Sequence, residues 1–386
     1  MPGALLPGAV RALTDSVLRF VEANPPAAAG LAVLALVVFG GGVYRLVRSR
    51  RAAGLKLKRV LSGRDRVAVL MHPNPDPDAM ATAMGVELLA ADLGVETDLR
   101  YPGEIRHQEN RAFRTVLDVQ VDPIETAADL PEDVVLVDHN TARGFDGASD
   151  IDPIAVIDHH PGDGTGRRFT DVRPEYGAAA TILVEYLQAA GFEPATEDAE
   201  RPLPTEVATG LLYGVLSDTD HLTRGCSEAE FDASAFLYPA IDEDTLDRVA
   251  HPEVDAEVLD VKARAIESRE VQGPFAVSDV GELSNVDAIP QAADELLNLE
   301  GVTAVVVMGQ KNGTLHLSGR SRDDRVHMGR ALQEAVADIP MAGAGGHSRM
   351  GGGQLSIEHM NGLGPSDGVS SAEFSDRLFA VLGGEQ

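Results

Sequence analysis

At 386 residues the chain has room for two domains, and 61 acidic against 32 basic residues leave it a net charge of −29. That balance argues against a long nucleic-acid duplex as partner, since phosphate binding needs a basic face. The lone cysteine, Cys226, excludes an intrachain disulfide and a thiolate zinc site. Lys56, Lys58, Lys262 and Lys311 are the only lysines and there is no Trp. An acidic, Lys-poor surface of this kind fits a halophile better than an ordinary acidic cytosolic protein, and the single thiol is consistent with a reducing compartment.

The first stretch with a definite character runs from Pro25 to Tyr44, uncharged and rich in Ala, Val, Leu and Gly. About 20 such residues cross the hydrocarbon layer as a helix. Arg45, Arg48, Arg50 and Arg51 follow, then Lys56, Lys58 and Arg59, against only Arg11 and Arg19 before it. A single transmembrane helix over about 25–47 is therefore expected, with the bulk of the chain in the cytoplasm and residues 1–24 outside. A signal peptide would begin earlier and not end in arginines. A buried core helix would not be apolar all round ahead of a basic cluster. Val10 to Val21 is amphipathic and reads either as a surface-lying helix or as part of a tail.

From Arg66 the pattern alternates. Val67 to Met71, Val134 to Val137 and Ile154 to Ile157 are short apolar runs of buried-strand type; Ala79 to Leu93, Gly177 to Ala190 and Glu206 to Leu216 have helical periodicity. Such alternation predicts an α/β domain with a parallel sheet and helices on both faces, in which ligands gather at the carboxyl ends of the strands. Residues 226–269 read as a helical connector. A smaller α/β domain follows over 270–386, with strands at Phe275 to Val280, Val302 to Met308, Thr314 to Ser318 and about Gln354 to Ile357. Helices are expected at Ile289 to Leu299 and Met328 to Val336 and a loop over 359–371; the glycine-dense stretch 343–353 reads blandly as a flexible loop, though the His inside it favours binding.

The chemistry-bearing residues stand at the ends of these elements. After the first strand comes His72-Pro73-Asn74-Pro75-Asp76-Pro77-Asp78, a turn stiffened by three prolines. Read blandly, Asp78 caps the following helix and Asp76 is solvated, which leaves His72 without a reason. The next strand ends in Asp138, the one after it in Asp158-His159-His160, and the helix 206–216 runs into Ser217-Asp218-Thr219. Carboxylates and imidazoles without thiolates suit Mn²⁺, with Mg²⁺ a poorer match. So many carboxylates point to two ions, which about 3.5–4 Å apart can activate a water against a phosphoester.

On these motifs residues 66–225 resemble the catalytic domain of the DHH phosphoesterase superfamily: H-x-N-P-D-x-D at 72–78, the strand ending in Asp138, the triplet at 158–160 and S-D-T at 217–219. Residues 270–358 resemble the accompanying DHHA1 domain, through Ser318-Gly319-Arg320-Ser321 and Gly345-Gly346-His347. Ala344 interrupts the glycine run, and Ser348-Arg349-Met350 departs from the family's usual continuation.

The domain plan is 1–51 with the expected transmembrane helix, 52–225, a connector over 226–269 and 270–386, the second and fourth of these identified by the resemblance. The resemblance implies that His72 and Asp76 hold one metal and Asp78 and His159 the other, with Asp138 bridging and Asp218 completing the set. Asp158 is expected to orient His159. His160, with Asp138, is the expected catalytic pair, His160 facing the substrate. Arg320, Ser321, Gly345, Gly346 and His347 would hold the substrate's far phosphate.

The function implied is a membrane-anchored Mn²⁺ phosphodiesterase of small nucleotides, in the branch that includes oligoribonucleases, 3′-phosphoadenosine 5′-phosphate phosphatases and cyclic-di-AMP phosphodiesterases. The inorganic pyrophosphatase branch, whose C-terminal domain lacks the glycine-rich His motif, is less expected. Alternatives are a single-strand 5′-exonuclease and a non-catalytic nucleotide-sensing module. Expected partners are the nucleotide, the membrane and, as one possible assembly, a second copy in a homodimer.

Overall fold

Two six-stranded sheets organise the described part of the chain, which in this computed structural model comprises residues 53–194, 199–323, 325–363 and 368–384. Contacts divide the chain into two units, one up to His251 and one from Pro252. The transmembrane span expected over 25–47 and the amphipathic piece Val10 to Val21 lie outside the described residues. Among the described residues no helix is long and apolar enough to cross a membrane.

The first unit contains β1 (Arg66–Leu70), α1 (Pro77–Ala91), β2 (Glu96–Pro102), α2 (Gln108–Val116), β3 (Asp122–Ile124), β4 (Val134–Val137), β5 (Ala155–Asp158) and β6 (Phe169–Val172). They are followed by α3 (Ala179–Ala189), α4 (Thr205–Asp218), α5 (Glu228–Leu237) and α6 (Glu243–Ala250). All its strand pairs are parallel, in the order β3-β2-β1-β4-β5-β6. The central strands are buried along nearly their whole length, which is why they read as unbroken runs of Val, Leu and Ile rather than as alternating ones. The chain turns one way from β1 to β2 and β3 and the other way to β4, so a crevice opens between the carboxyl ends of β1 and β4.

Small residues let the helices close over this crevice. A Cβ at Gly214 in α4 would stand 3.2 Å from the Asp78 Cα in α1, so the two backbones nearly touch. Asp218 lies one turn beyond Gly214 on the same face of α4 and is carried to the same place.

The second unit contains α7 (Ala256–Glu267), β7 (Glu270–Gln272), β8 (Phe275–Glu282), α8 (Ala288–Leu296), β9 (Ala304–Lys311), β10 (Thr314–Ser321) and α9 (Met328–Ala335). It ends with β11 (Gly343–Gly346), β12 (Met350–Ser356) and α10 (Ser371–Gly383). Strand order is β11-β12-β10-β9-β8-β7, with β8 and β9 parallel and the rest antiparallel. Alternate residues of β9 feed two cores. Val306 and Met308 pack with Met328, Leu332 and Phe374, and Val305 and Val307 with Val261 and Ile289.

Two readings of the sequence change here. The stretch 226–269 is divided rather than a separate connector: Leu237 and Val249 are buried in the first unit's core and Val258, Val261 and Ala265 in the second's. The glycine-dense stretch 343–353 is a paired hairpin, not a loop. Glycine is a poor strand former, but a Cβ at Gly329 would stand 2.4 Å from the Gly346 carbonyl, so α9 rests directly on the hairpin backbone. Within 359–371, expected as a loop, the described residues 361–363 and 368–370 are in neither helix nor strand, and Ser370 caps α10 through a reciprocal Ser370–Glu373 box.

Candidate metal centre

The site is built from the turn after β1. The His72 ring sets Nδ1 3.0 Å from the Pro73 carbonyl oxygen, so a neutral ring donates there and turns the Nε2 lone pair the other way. Nε2 lies 3.3 Å from Asp76 Oδ2 and 3.3 Å from Asp138 Oδ2. Asp76 is the N-cap of α1, its other oxygen accepting the Ala79 N–H at 3.0 Å. Asp78 is completely buried and caps a different helix: its carboxylate accepts the N–H groups of Ala179 (2.6 Å) and Ala180 (2.8 Å) at the start of α3. Asp76, not Asp78, thus caps the helix that follows, and Asp78 is buried rather than solvated; each carboxylate keeps lone pairs for a cation.

Asp138 follows β4 with φ of 59°, in the left-handed region that costs a non-glycine residue on the order of 1–3 kcal/mol and is tolerated best by Asp and Asn. The turn carries its carboxylate into the crevice. One oxygen faces His72, and the other is 3.3 Å from His159 Nε2 and 3.6 Å from His160 Nδ1. His159 Nε2 is also 3.3 Å from Asp218 Oδ2 and 3.9 Å from Asp78 Oδ2, while its Nδ1 lies 3.2 Å from the Tyr176 carbonyl oxygen. Three sets result: His72/Asp76/Asp138, Asp78/His159/Asp218 and Asp138/His159/His160, each with ligand atoms within 4.8 Å of one another.

The expected role of Asp158 is corrected. Successive strand residues point to opposite faces, so Asp158 shares a side with His160, not with His159. Its Oδ1 accepts from the His160 amide and faces the His160 ring Nδ1, both at 3.0 Å, and its Oδ2 accepts from Asn140 Nδ2 at 2.6 Å.

Electrostatics show a site short of positive charge. Burial, and then the neighbouring Asp138 and Asp218 charges, push Asp78 well up. Burial and the charges of Asp76 and Asp138 raise Asp218 against the pull of His159. Burial works to lower His72 and His159, yet the carboxylates facing them raise His72 to about 11 and His159 to about 12. Asp138, though buried, is held below the usual carboxylate range by those two imidazoles. Without an ion, the two imidazolium charges are what balances the carboxylates. The geometry agrees: both oxygens of Asp138 and Nε2 of His159 are buried without a hydrogen-bond partner among the described residues. Divalent ions would satisfy all three atoms, and the carboxylate–imidazole set suits Mn²⁺.

The expected substrate-binding residues belong to the second unit. Arg320 donates from Nε to Asp294 at 2.6 Å and from a terminal nitrogen to Ser318 Oγ at 3.1 Å. Gly345 and Gly346 lie in the hairpin, and His347 follows them, exposed, its carbonyl accepting the Gly329 N–H. Ser321 ends β10. It is buried, and its hydroxyl bonds the backbone of Asp323 and Thr303, shaping the turn after β10.

Sequence reasoning passed over His139 and Asn140. His139 is buried and held neutral, lowered to about 4 chiefly by burial, with its Nδ1 2.9 Å from the Val137 carbonyl oxygen. Its signal was present: Asp138-His139 repeats the strand–Asp–His pattern of 154–159.

A six-stranded parallel sheet with an Asp/His cluster at its switch point, joined to a mixed-sheet domain, defines a two-domain α/β metal-site protein. Residues 66–215 match the DHH family N-terminal domain and residues 272–363 the DHHA1 domain, and the chain belongs to the DHH/DHHA1 superfamily of metal-dependent phosphoesterases. It is 37% identical to an uncharacterized protein of Methanocaldococcus jannaschii, across 72% of this chain and 55% of the relative. It is 31% identical to a probable manganese-dependent inorganic pyrophosphatase of Deinococcus radiodurans, across 45% and 53%. With the cyclic-di-AMP phosphodiesterase GdpP of Geobacillus thermodenitrificans it shares 26% identity, across 83% and 50%. The chain spans about half the length of these relatives.

Proposed function

We propose that the chain is a membrane-anchored, Mn²⁺-dependent phosphodiesterase of small nucleotides. The observation that carries the chemistry is Asp138, a buried carboxylate whose two oxygens face His72 and His159 at 3.3 Å yet make no hydrogen bond among the described residues, standing between two Asp/His sets. His72, Asp76 and Asp138 would hold one ion and Asp78, His159 and Asp218 a second, with Asp138 shared. When bound, such a pair activates a water and neutralises charge on the phosphoryl oxygens.

The remaining steps belong to the chain's own groups. The Pro73 and Tyr176 carbonyls fix the two ligand imidazoles with Nε2 inward. His160 is half-exposed, and its hydrogen bond to Asp158 raises its pKa, which keeps a proton available for the departing alkoxide oxygen. Hydrolysis then gives a phosphomonoester and an alcohol. In the second unit, Arg320 and His347 would take a terminal phosphate, Arg320 by its planar fork.

Support for a nucleotide substrate comes from the GdpP relative, which spans both domain types. Support for Mn²⁺ comes from the ligand set and the pyrophosphatase relative. The anchor rests on the uncharged run from Pro25 to Tyr44 and the arginines behind it.

The test uses the full chain in detergent and high salt. Turnover is compared on a linear dinucleotide, cyclic di-AMP, longer RNA, 3′-phosphoadenosine 5′-phosphate and pyrophosphate, with Mn²⁺ and with Mg²⁺. Dinucleotide cleavage with Mn²⁺ supports the reading. Absence of Mn²⁺ binding together with absence of any phosphoester cleavage overturns it, and pyrophosphate as sole substrate overturns the nucleotide assignment.

A further inference from the structure

Glu230 lies on α5, outside the cluster, and has no exposed surface. A buried carboxylate is costly unless it is paired, yet among the described residues no cation reaches it. Its partners are the Ser227 N–H (2.6 Å) and hydroxyl (2.8 Å), which complete the cap of α5, and one group from elsewhere, the Gly177 N–H at 3.0 Å. That N–H belongs to the same peptide unit as the Tyr176 carbonyl, and the Tyr176 carbonyl oxygen is the group facing His159 Nδ1.

A continuous line of hydrogen bonds therefore runs from a buried negative charge, through one peptide unit, to the far side of a candidate metal-ligating imidazole. We infer that Glu230 is a positioning residue that sets the orientation and ligand strength of His159 through the Tyr176–Gly177 peptide; this rests on the metal reading above. A carboxylate accepting from the N–H draws electron density onto the carbonyl oxygen. The oxygen becomes a stronger acceptor for Nδ1–H, and Nε2 a stronger donor to a cation.

The peptide is also held in place from other directions. The Tyr176 hydroxyl donates to Glu185 at 2.7 Å, and a Cβ at Gly177 would stand 2.6 Å from Thr219 Cγ2. The peptide has little freedom to rotate, so a change at Glu230 acts by charge more than by displacement.

The experiment compares the chelator-stripped full chain with Glu230→Gln and Ser227→Ala, measuring Mn²⁺ affinity by calorimetry and stability by thermal melting. Ser227→Ala removes the hydroxyl half of the cap of the same helix, its bonds with Ala229 N and Glu230, and leaves the Ser227 N–H and Gly177 N–H bonds to Glu230 in place. Both variants are expected to melt earlier. Glu230→Gln is expected to bind Mn²⁺ about tenfold more weakly, at the low end of what loss of an outer partner costs, and Ser227→Ala within twofold of wild type. In the metal-free protein, the His159 Nδ1 proton resonance should move upfield in Glu230→Gln alone. Should Glu230→Gln fail to fold, Glu230→Asp keeps the charge and is expected to lose about threefold. Wild-type affinity in the Glu230 variant, or an equal loss in Ser227→Ala, overturns the inference alone. A wild-type chain that does not bind Mn²⁺ overturns the metal reading and the inference with it.

Discussion

In the first unit aspartates and histidines turn inward on one another around the buried Asp78 and Asp138, with three ligand atoms outside any hydrogen bond among the described residues and a left-handed backbone holding Asp138 in place. In the second unit Arg320 is drawn to Asp294 on the surface, Ser321 is bonded into its own turn, and His347 is exposed. Charge is concentrated at the cost of strain and desolvation in one unit and left near water in the other. A site that must fix cations needs the first arrangement. A surface that must pick up and release a charged substrate works better with the second, because little desolvation is undone at each turnover.

The largest effect expected from this contrast is at Asp138. Asn tolerates the left-handed turn, so Asp138→Asn should fold, but it removes the charge that the two ligand sets are proposed to share. Loss of a mere outer partner costs 10–100-fold, so turnover should fall by more than about 100-fold, with Mn²⁺ affinity falling alongside. Retention of a tenth of the activity would remove Asp138 from the bridging role. Arg320→Ala should behave differently. KM for a substrate with a terminal phosphate should rise about tenfold, equivalent to about 1.4 kcal/mol, with kcat within about twofold, the signature of lost uniform binding. A kcat defect as large as the KM defect would place Arg320 in the chemical step and erase the contrast.

The protonation state of the first unit gives a third test. His72 and His159 have folded pKa values of about 11 and about 12, raised above the ordinary value. A raised value contributes stability that is full below about pH 6.5 and fades as pH climbs through the folded values. The metal-free protein should therefore lose melting temperature above neutral pH, and the Mn²⁺-loaded protein much less. Binding at pH 8 should displace about one proton from each imidazole, so the calorimetric heat should vary with the buffer's ionisation enthalpy. A heat independent of buffer would mean that the histidines are not ligands.

How much of this was open to reading the sequence differs between the units in the same way. Short apolar runs ending in Asp138 and in Asp158-His159-His160 are local patterns, and a parallel sheet brings strand ends to one rim; the three central strands and the residues at their ends could be read from them, as Asp76 and Asp78 could from the proline turn and Asp218 from the helix running into it. Which carboxylate faces which imidazole could not. Asp78 reaches Ala179, a hundred positions away, and Asp158 serves His160 because of strand pleating at a single residue. Strands β2, β3 and β6 were passed over because charges and prolines interrupt them near the sheet's edges. In the second unit the glycine hairpin concealed itself, since its reason for being strand is the close approach of α9 rather than any side chain it carries.

The smallest effect concerns the competition at Arg320. The Arg320–Asp294 pair is 2.6 Å long, but Asp294 is more than half exposed, and exposed pairs contribute about 0–1 kcal/mol. If the guanidinium exists to meet a phosphate, Asp294 occupies part of its fork between turnovers and must be displaced. Asp294→Ala should then lower KM by about twofold to threefold and leave kcat and Mn²⁺ affinity unchanged, and the gain should shrink as salt screens the pair. The opposite sign, a higher KM in Asp294→Ala, would mean that the aspartate aims the guanidinium rather than competing for it. The second unit would then be preorganised as the first is, with its organising charge on the surface instead of in the core.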